Sequence, residues 1–244
     1  MSISKLQVEA YYYGNPRLIA DRILFIKRDA MLGKYKGHLT NIHGFGNAWQ
    51  GITGQYHGQQ ITMIATGIGP SMVGDAVYAL SRPDSLCLYS GTCGGLDKKL
   101  EIGDFFVADH AIGSGGYTFH LGHPPLVEIS GDPRSLELIK SLIANRGNHV
   151  EHGTTFTTDS VVCETDDDFW QTVPDKCQII EMAAAAFYAA ANATGKKAAA
   201  YFWVSDLPAR GKSFFDALGF DDVRIKQDRY DRSVSLDLDL ISSL

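Results

Sequence analysis

An α/β fold is predicted on three observations. Short apolar runs with β-branched or aromatic content recur along the chain, segments of helical spacing alternate with them, and glycine-rich turns stand between the two. A buried sheet covered by helices is the arrangement that hides both kinds of segment from water. Residues 61–65 read as a strand, Gly67-Ile68-Gly69-Pro70-Ser71 as a turn, and 72–80 as a helix with apolar residues at Val73, Ala76, Val77 and Leu80. Pro70 suits the first helical turn, where its missing N–H would have had no partner. Arg82-Pro83-Asp84 ends the helix, 85–90 reads as a buried strand, Gly91-Thr92-Cys93-Gly94-Gly95 as a second glycine turn and 105–110 as another strand. Val161-Val162-Cys163 is a short strand or loop segment, and Asp166-Asp167-Asp168 marks a helix start favoured by negative charge at the positive end of the dipole. Residues 178–182 begin a buried stretch that leads into an alanine-rich helix, which Gly195 closes. Residues 198–204 read as the last buried strand, with Ser205-Asp206 at its carboxyl end, where ligands sit in open α/β sheets. The 30–50 region, rich in Gly, His and Asn, reads as loop and edge strand.

The 244 residues carry 22 Lys and Arg against 28 Asp and Glu, a formal net charge of −6. That acidic balance without a basic run argues against nucleic acid or an anionic membrane as the main partner and leaves a small molecule. A single domain over residues 1–244 is expected, because a chain of this size buries roughly 70% of its unfolded surface. No linker, repeat or low-complexity tract divides it. Cys87, Cys93, Cys163 and Cys177 form no C-x-x-C pair and read as reduced thiols of a cytoplasmic protein. Residues 1–9 lack the basic start and apolar core of an export signal, and no apolar stretch approaches the roughly 18 residues of a membrane span.

Both glycine turns let main-chain N–H groups approach a ligand closely. A dinucleotide fingerprint does not fit the first, since the third glycine and the later acidic residue are missing. His120 and His123 lie in a Gly/Pro loop with no third metal ligand, so no metal is expected. Asp206, directly after an apolar strand, sits where burial raises a carboxyl's pKa and makes it a proton donor near neutral pH. Glu181, after Ile179-Ile180, is a second carboxylate emerging from buried surroundings. From position alone, each is either a functional acid or a satisfied structural carboxylate.

Taken together, Gly91-Thr-Cys-Gly-Gly-Leu96, Gly103-Asp104 before a strand, Phe156-Thr-Thr-Asp159, Glu181-Met182 leading an alanine-rich helix, and Val204-Ser-Asp206 resemble the nucleoside phosphorylase/nucleosidase superfamily in order and spacing. Thr66-Gly-Ile-Gly-Pro-Ser71 is similar to the family's first glycine turn, Tyr13-Gly-Asn-Pro16 to its Gly-Asp-Pro loop, and Thr53-Gly-Gln-Tyr-His-Gly58 to its Gly-x-Tyr-x-Gly hairpin. The resemblance implies a single α/β domain with helices on both sides of a mixed, barrel-like sheet, assembled as a dimer or a trimer of dimers. It implies cleavage of the bond between a ribose and a nucleobase, with no metal or organic cofactor and inorganic phosphate as a possible co-substrate. By that likeness Asp206 is the acid on the base side, Phe156 packs on the base and Met182 lies under the sugar. Thr92 and the Gly67–Gly69 turn stand near the nucleophile, Gly94, Glu181 and Ser205 belong to the substrate site, and Gly14 and Arg17 are candidates for an anion.

Two departures bear on function. Relatives place a second Glu after Glu-Met to accept from the ribose hydroxyls, whereas this chain has Ala183. Phosphorolytic relatives clamp phosphate with arginines at positions that here are Tyr89 and Asn47. A site so short of cations favours water over phosphate as the attacking group. The expected function is cleavage of a purine nucleoside's N-glycosidic bond, by hydrolysis or phosphorolysis, with Arg210 or Lys212 as possible aids to charge development. The alternative is a degenerate protein of the same fold that binds a nucleoside or base without turnover.

Overall fold

Ten strands join in one mixed sheet in the computed structural model, which describes residues 3–216 and 219–244; Met1, Ser2, Ala217 and Leu218 lie outside the described residues. In chain order the elements are α1 (Lys5–Tyr13), β1 (Arg22–Ile26), α2 (Leu32–Lys36), β2 (Thr40–Gly46), β3 (Gln50–Tyr56), β4 (Gln59–Ala65), α3 (Pro70–Tyr78), β5 (Leu86–Gly95) and β6 (Phe105–Gly113). They continue with α4 (Gly116–His120), β7 (Glu128–Ser130), α5 (Pro133–Asn145), β8 (Val150–Thr157), α6 (Asp167–Trp170), β9 (Ile179–Glu181), α7 (Ala184–Ala193), β10 (Lys197–Asp206) and α8 (Phe220–Ser243).

β5 is the hub. On one side it pairs with β1, and the sheet runs on through β4 and β3 to β2. Beyond the end of β1, on the same edge, Gly94 and Gly95 of β5 pair with β9, the opposite edge of β5 pairs with β10, and the path β9-β8-β6-β10 returns to β5, closing a ring of five strands. β1 is parallel to β4 and β5, β10 is parallel to β5, and β6 is antiparallel to β10, so the sheet is mixed and barrel-like, as the resemblance implies. Alternation along β1 shows how both faces are filled. Ile23 and Phe25 enter a cluster with Val73 and Val77 of α3 and Phe187 of α7. Leu24 and Ile26 enter a second cluster with Tyr35 of α2, Ile139 of α5 and Leu238 and Ile241 of α8. Alanines fill α7, and its Tyr188 hydroxyl donates to the Ala108 carbonyl (2.5 Å) and accepts from the Ala200 N–H (2.9 Å), tying the helix to β6 and β10.

Two sequence expectations are corrected and one element is added. The segment Gly91–Gly95 is the end of strand β5 and not a turn. Its glycines serve close packing: a Cβ on Gly94 would lie 3.0 Å from Ile180 Cγ2 and 3.1 Å from Asp206 Oδ2, because ring closure brings β9 and β10 against the same strand. Residues 30–50 contain the helical turn α2 as well as strand β2. The 24-residue helix α8 was not anticipated at all. No helix among the described residues is long and apolar enough to cross a membrane.

α8 is held to the sheet through Asp237, a fully buried carboxyl that accepts from the Tyr35 hydroxyl (2.5 Å) and from the Tyr201 hydroxyl. Burial pushes its pKa up to about 6, against the pull of these hydroxyls and Ser90. The native state therefore keeps a proton that an unfolded aspartate loses near 3.8, and this site's contribution to stability declines as pH rises from about 4 to 6. Asp237→Asn, which cannot titrate, is expected to flatten the slope of urea-unfolding free energy over that window; an unchanged slope would exclude Asp237 as its source.

Candidate active site

Strand pairing links four of the segments singled out above. Asp206 of β10 is paired with Gly94 of β5, Gly94 with Ile180 of β9, and Ile180 with Phe156 of β8, in one continuous row of neighbours. Residues more than a hundred positions apart in sequence thus share the same stretch of the ring.

Asp206 is 4% exposed. Its Oδ1 accepts from the Ser205 hydroxyl at 2.6 Å, and that hydroxyl also lies 3.2 Å from the Cys93 carbonyl. Among the described residues Asp206 forms no ion pair. Burial raises its pKa from the ordinary aspartate value, while Ser205, then Lys226 of α8 and Lys27, pull it back. A carboxyl in this state holds its proton to higher pH than a surface aspartate and has no fixed counter-ion to lose. Glu164, in the turn after β8, is a second half-buried carboxyl within reach of Asp206's charge; burial first, and that charge second, push it up to about 7. Sequence reading did not single out Glu164, which follows no apolar strand.

Glu181, also buried, turns to the start of α7. Its Oε2 accepts from the Ala183 N–H (2.6 Å) and the Ala184 N–H (3.0 Å), and its Oε1 from the Thr157 hydroxyl (2.5 Å). It supplies the side-chain cap that Ala183 lacks at the helix's first position. Burial lifts it to about 7 despite these donors. The adjacent Met182 is half-buried, and Ala183 is buried with no side-chain acceptor. Phe156 is buried among Ile112, Ile180 and Cys177, with Phe169 edge-on at 6.4 Å between ring centroids.

Thr92 is half-buried on β5. Its hydroxyl accepts from the ammonium of Lys27, the residue that follows β1, a contact the sequence reading missed. The signal was present: Lys27 stands directly after an apolar strand, as Asp206 does. Burial lowers its pKa to about 8, with Arg28 adding to the effect and Cys93, Glu181 and Asp206 opposing it. Gly67 (φ +87°) and Gly69 (φ +112°) turn the chain from β4 into α3. The Thr66 N–H donates to the Ile26 carbonyl (2.9 Å), which sets that turn beside Lys27. Both glycines hold left-handed backbone that a side chain would strain.

Other candidates are not brought here. Arg17 is exposed, in a turn ahead of β1, and the neighbouring Pro16 carbonyl accepts from Arg82, which sits near the start of β5; this is the opposite end of the strands from Asp206. Gly14 lies against Asn47 in the β2–β3 turn. The segment that actually leaves β1 toward the site is Lys27-Arg28-Asp29. Arg210 is engaged with Glu101 (2.9 Å) and the Leu100 carbonyl, and Lys212 lies 3.5 Å from Asp222, so both face partners other than Asp206. A cleft of about 440 Å³ beside α2 and the β2–β3 turn is lined by Asp29, Lys36 and Gln50, among others, and includes none of the predicted site residues.

The profile of the phosphorylase superfamily matches residues 28–227. A DeoD-type purine nucleoside phosphorylase of Clostridium beijerinckii is 29% identical over 168 residues, 64% of this chain and 67% of that one. Among solved structures, a uridine phosphorylase of Vibrio fischeri superposes with a TM-score of 0.78 at 15% identity, covering 94% of both chains. A purine nucleoside phosphorylase of Toxoplasma gondii bound to immucillin-H gives 0.72 at 18%, covering 94% of this chain and 95% of that one. A Trypanosoma brucei nucleoside phosphorylase whose structure is described as showing uridine phosphorylase activity gives 0.77 at 16%, with the same coverage. The chain belongs to the phosphorylase superfamily and has the nucleoside phosphorylase fold.

Proposed function

We propose that this member of the phosphorylase superfamily cleaves the N-glycosidic bond of a purine nucleoside, with inorganic phosphate as the attacking group and Asp206 as the acid on the base. The carrying observation is the buried Asp206 carboxyl, raised by desolvation and free of any ion pair among the described residues. As the C1′–N9 bond breaks, its electron pair leaves with the base, and a purine relieves that charge by taking a proton at N7. A phosphate oxygen forms the new bond to C1′, the product is a pentose 1-phosphate, and Asp206 is reprotonated from solvent. Phe156 is the proposed wall of the base pocket, and Met182 that of the sugar pocket.

Phosphate replaces water in this reading for two reasons. The relatives named above are phosphorylases, and Lys27 supplies the cation whose absence had argued for hydrolysis. Ala183 removes an acceptor for the sugar hydroxyls, and each one left buried without a partner costs about 1–3 kcal/mol. A 2′-deoxynucleoside therefore loses less at this site than a ribonucleoside. The enzyme is further proposed to be a cytoplasmic homo-oligomer, a reading supported by four free cysteines and by exposed Leu6, Tyr11, Ile68 and Met72, which offer apolar surface to a second copy.

Chromatography of free base released from purine and pyrimidine nucleosides, ribo and 2′-deoxy, with and without phosphate, tests the proposal. The expected result is release from purine nucleosides that requires phosphate and forms pentose 1-phosphate in equal amount. Equal release without phosphate would restore hydrolysis. No release, with nucleosides raising the melting temperature, would favour the binding protein.

A further inference from the structure

Glu164 sits in the turn that follows β8, and from Val162 to Asp168 every residue is exposed except this one. The turn is fixed against the Phe156 end of the candidate site. Its Glu164 carbonyl accepts from the Trp170 indole N–H (3.1 Å), and Trp170 packs with Phe169, Val173 and Leu96 on Phe156, Ile180 and Cys177. Phe156 and Ile180 belong to the row of paired residues that ends on Gly94 and Asp206. A glutamate in a surface turn ordinarily extends into water. The Glu164 carboxyl is instead drawn in, has no hydrogen-bond or ion-pair partner among the described residues, and feels one charge, the like charge of Asp206. Glu181 and Lys27, which stand by Met182 and Thr92, exert no such effect on it. Desolvation and like-charge repulsion both oppose this placement and no protein donor offsets them, the pattern of a side chain set for a ligand.

We propose that Glu164 selects the base, accepting a hydrogen bond from the 6-amino group of an adenine-type purine while Asp206 protonates N7. This inference rests on the proposed function for the placing of the base against Phe156. Position 6 and N7 lie on one edge of a purine, so a carboxyl beside the one that meets N7 is level with the exocyclic group. An acceptor without a donor in the protein matches an amine there, whereas the lone pairs of a 6-oxo group would face it with like polarity. As N7 takes its proton, the ring draws electrons from the amine and its N–H becomes a stronger donor. The bond to Glu164 therefore strengthens as the glycosidic bond breaks, and the selection is read in kcat/KM. No proton passes to Glu164.

The test compares kcat/KM for 2′-deoxyadenosine and 2′-deoxyinosine, with phosphate present, in the wild type, Glu164→Gln and Glu164→Ala. The assay is run at about pH 8, above the value of about 7 to which Glu164 is pushed. The wild type is expected to favour 2′-deoxyadenosine by about tenfold or more. Glu164→Gln, whose amide donates to a 6-oxo group as readily as it accepts from an amine, is expected to bring the ratio to within about threefold of one, and Glu164→Ala to lower it about tenfold. A purely structural role would depress both substrates alike and leave the ratio unmoved. Calorimetric titration with adenine and with hypoxanthine adds a readout independent of turnover. If the wild type releases no base yet binds adenine about tenfold more tightly than hypoxanthine, and Glu164→Gln does not, the proposed function fails while the selection stands. A wild type with no preference for the 6-amino compound in cleavage and in binding, or a preference kept unchanged in both variants, overturns the inference.

Discussion

Asp206→Asn is expected to lower turnover on a purine nucleoside by about 10²- to 10⁴-fold, the range of a lost general acid, with KM changed by less than about threefold. The amide keeps the shape of the side chain and an oxygen for the Ser205 hydroxyl, so the packing of Gly94 against it is preserved. What it lacks is a proton with an acid's affinity. In the wild type burial disfavours the carboxylate and strengthens the group's hold on that proton, an effect that Ser205, Lys226 and Lys27 only partly offset. Steady-state kinetics with a melting curve on the same sample distinguishes this outcome from misfolding. Turnover within about threefold of wild type would remove Asp206 from the acid role.

Glu181→Leu is expected to act on stability. Three buried donors, the Ala183 and Ala184 N–H groups and the Thr157 hydroxyl, lose their acceptor together. Unpaired buried donors cost about 1–3 kcal/mol each, and with partial relaxation a net loss of about 3 kcal/mol follows. At about 2–4 °C per kcal/mol for a chain of this length, the melting temperature should fall by about 6–12 °C. Glu181→Gln keeps one carbonyl oxygen at the cap and should lose about a third as much. A melting temperature of Glu181→Leu within about 2 °C of wild type would contradict the capping role. Because Glu181 is raised to about 7, the native state holds its proton above the ordinary carboxylate value, and this site's stability contribution declines as pH climbs from about 4.5 to 7.

The alternation of strands and helices was legible because burial writes itself into sequence as apolar runs: 61–65 and 198–204 fall within observed strands, and 85–90 does so from Leu86 on. The ring closure was not legible. Gly91–Gly95 has the composition of a turn, and only pairing with β9 and β10 reveals why a strand would exclude side chains there. Asp206 stood out because a carboxylate ends an apolar strand. Lys27 stands in the same relation to β1 and went unnoticed, since one lysine among 22 basic residues reads as solvated until a partner such as Thr92 is seen in space. Gly14-Asn15-Pro16 had the right letters in the wrong place, ahead of β1, where local sequence gives no measure of which end of a strand a loop will occupy. Glu181 was expected from its buried surroundings, but the direction of its side chain depends on the start of α7, which Ala183 leaves uncapped.

The central claim is that Asp206 supplies the proton a purine needs at N7 as it departs. A 7-methyl purine nucleoside carries its positive charge already and needs no such proton. The direct measurement is the ratio of wild-type to Asp206→Asn turnover on a purine nucleoside and on its 7-methyl counterpart. The account predicts a ratio of about a hundred or more on the first and below about ten on the second; equal ratios on both substrates would contradict it.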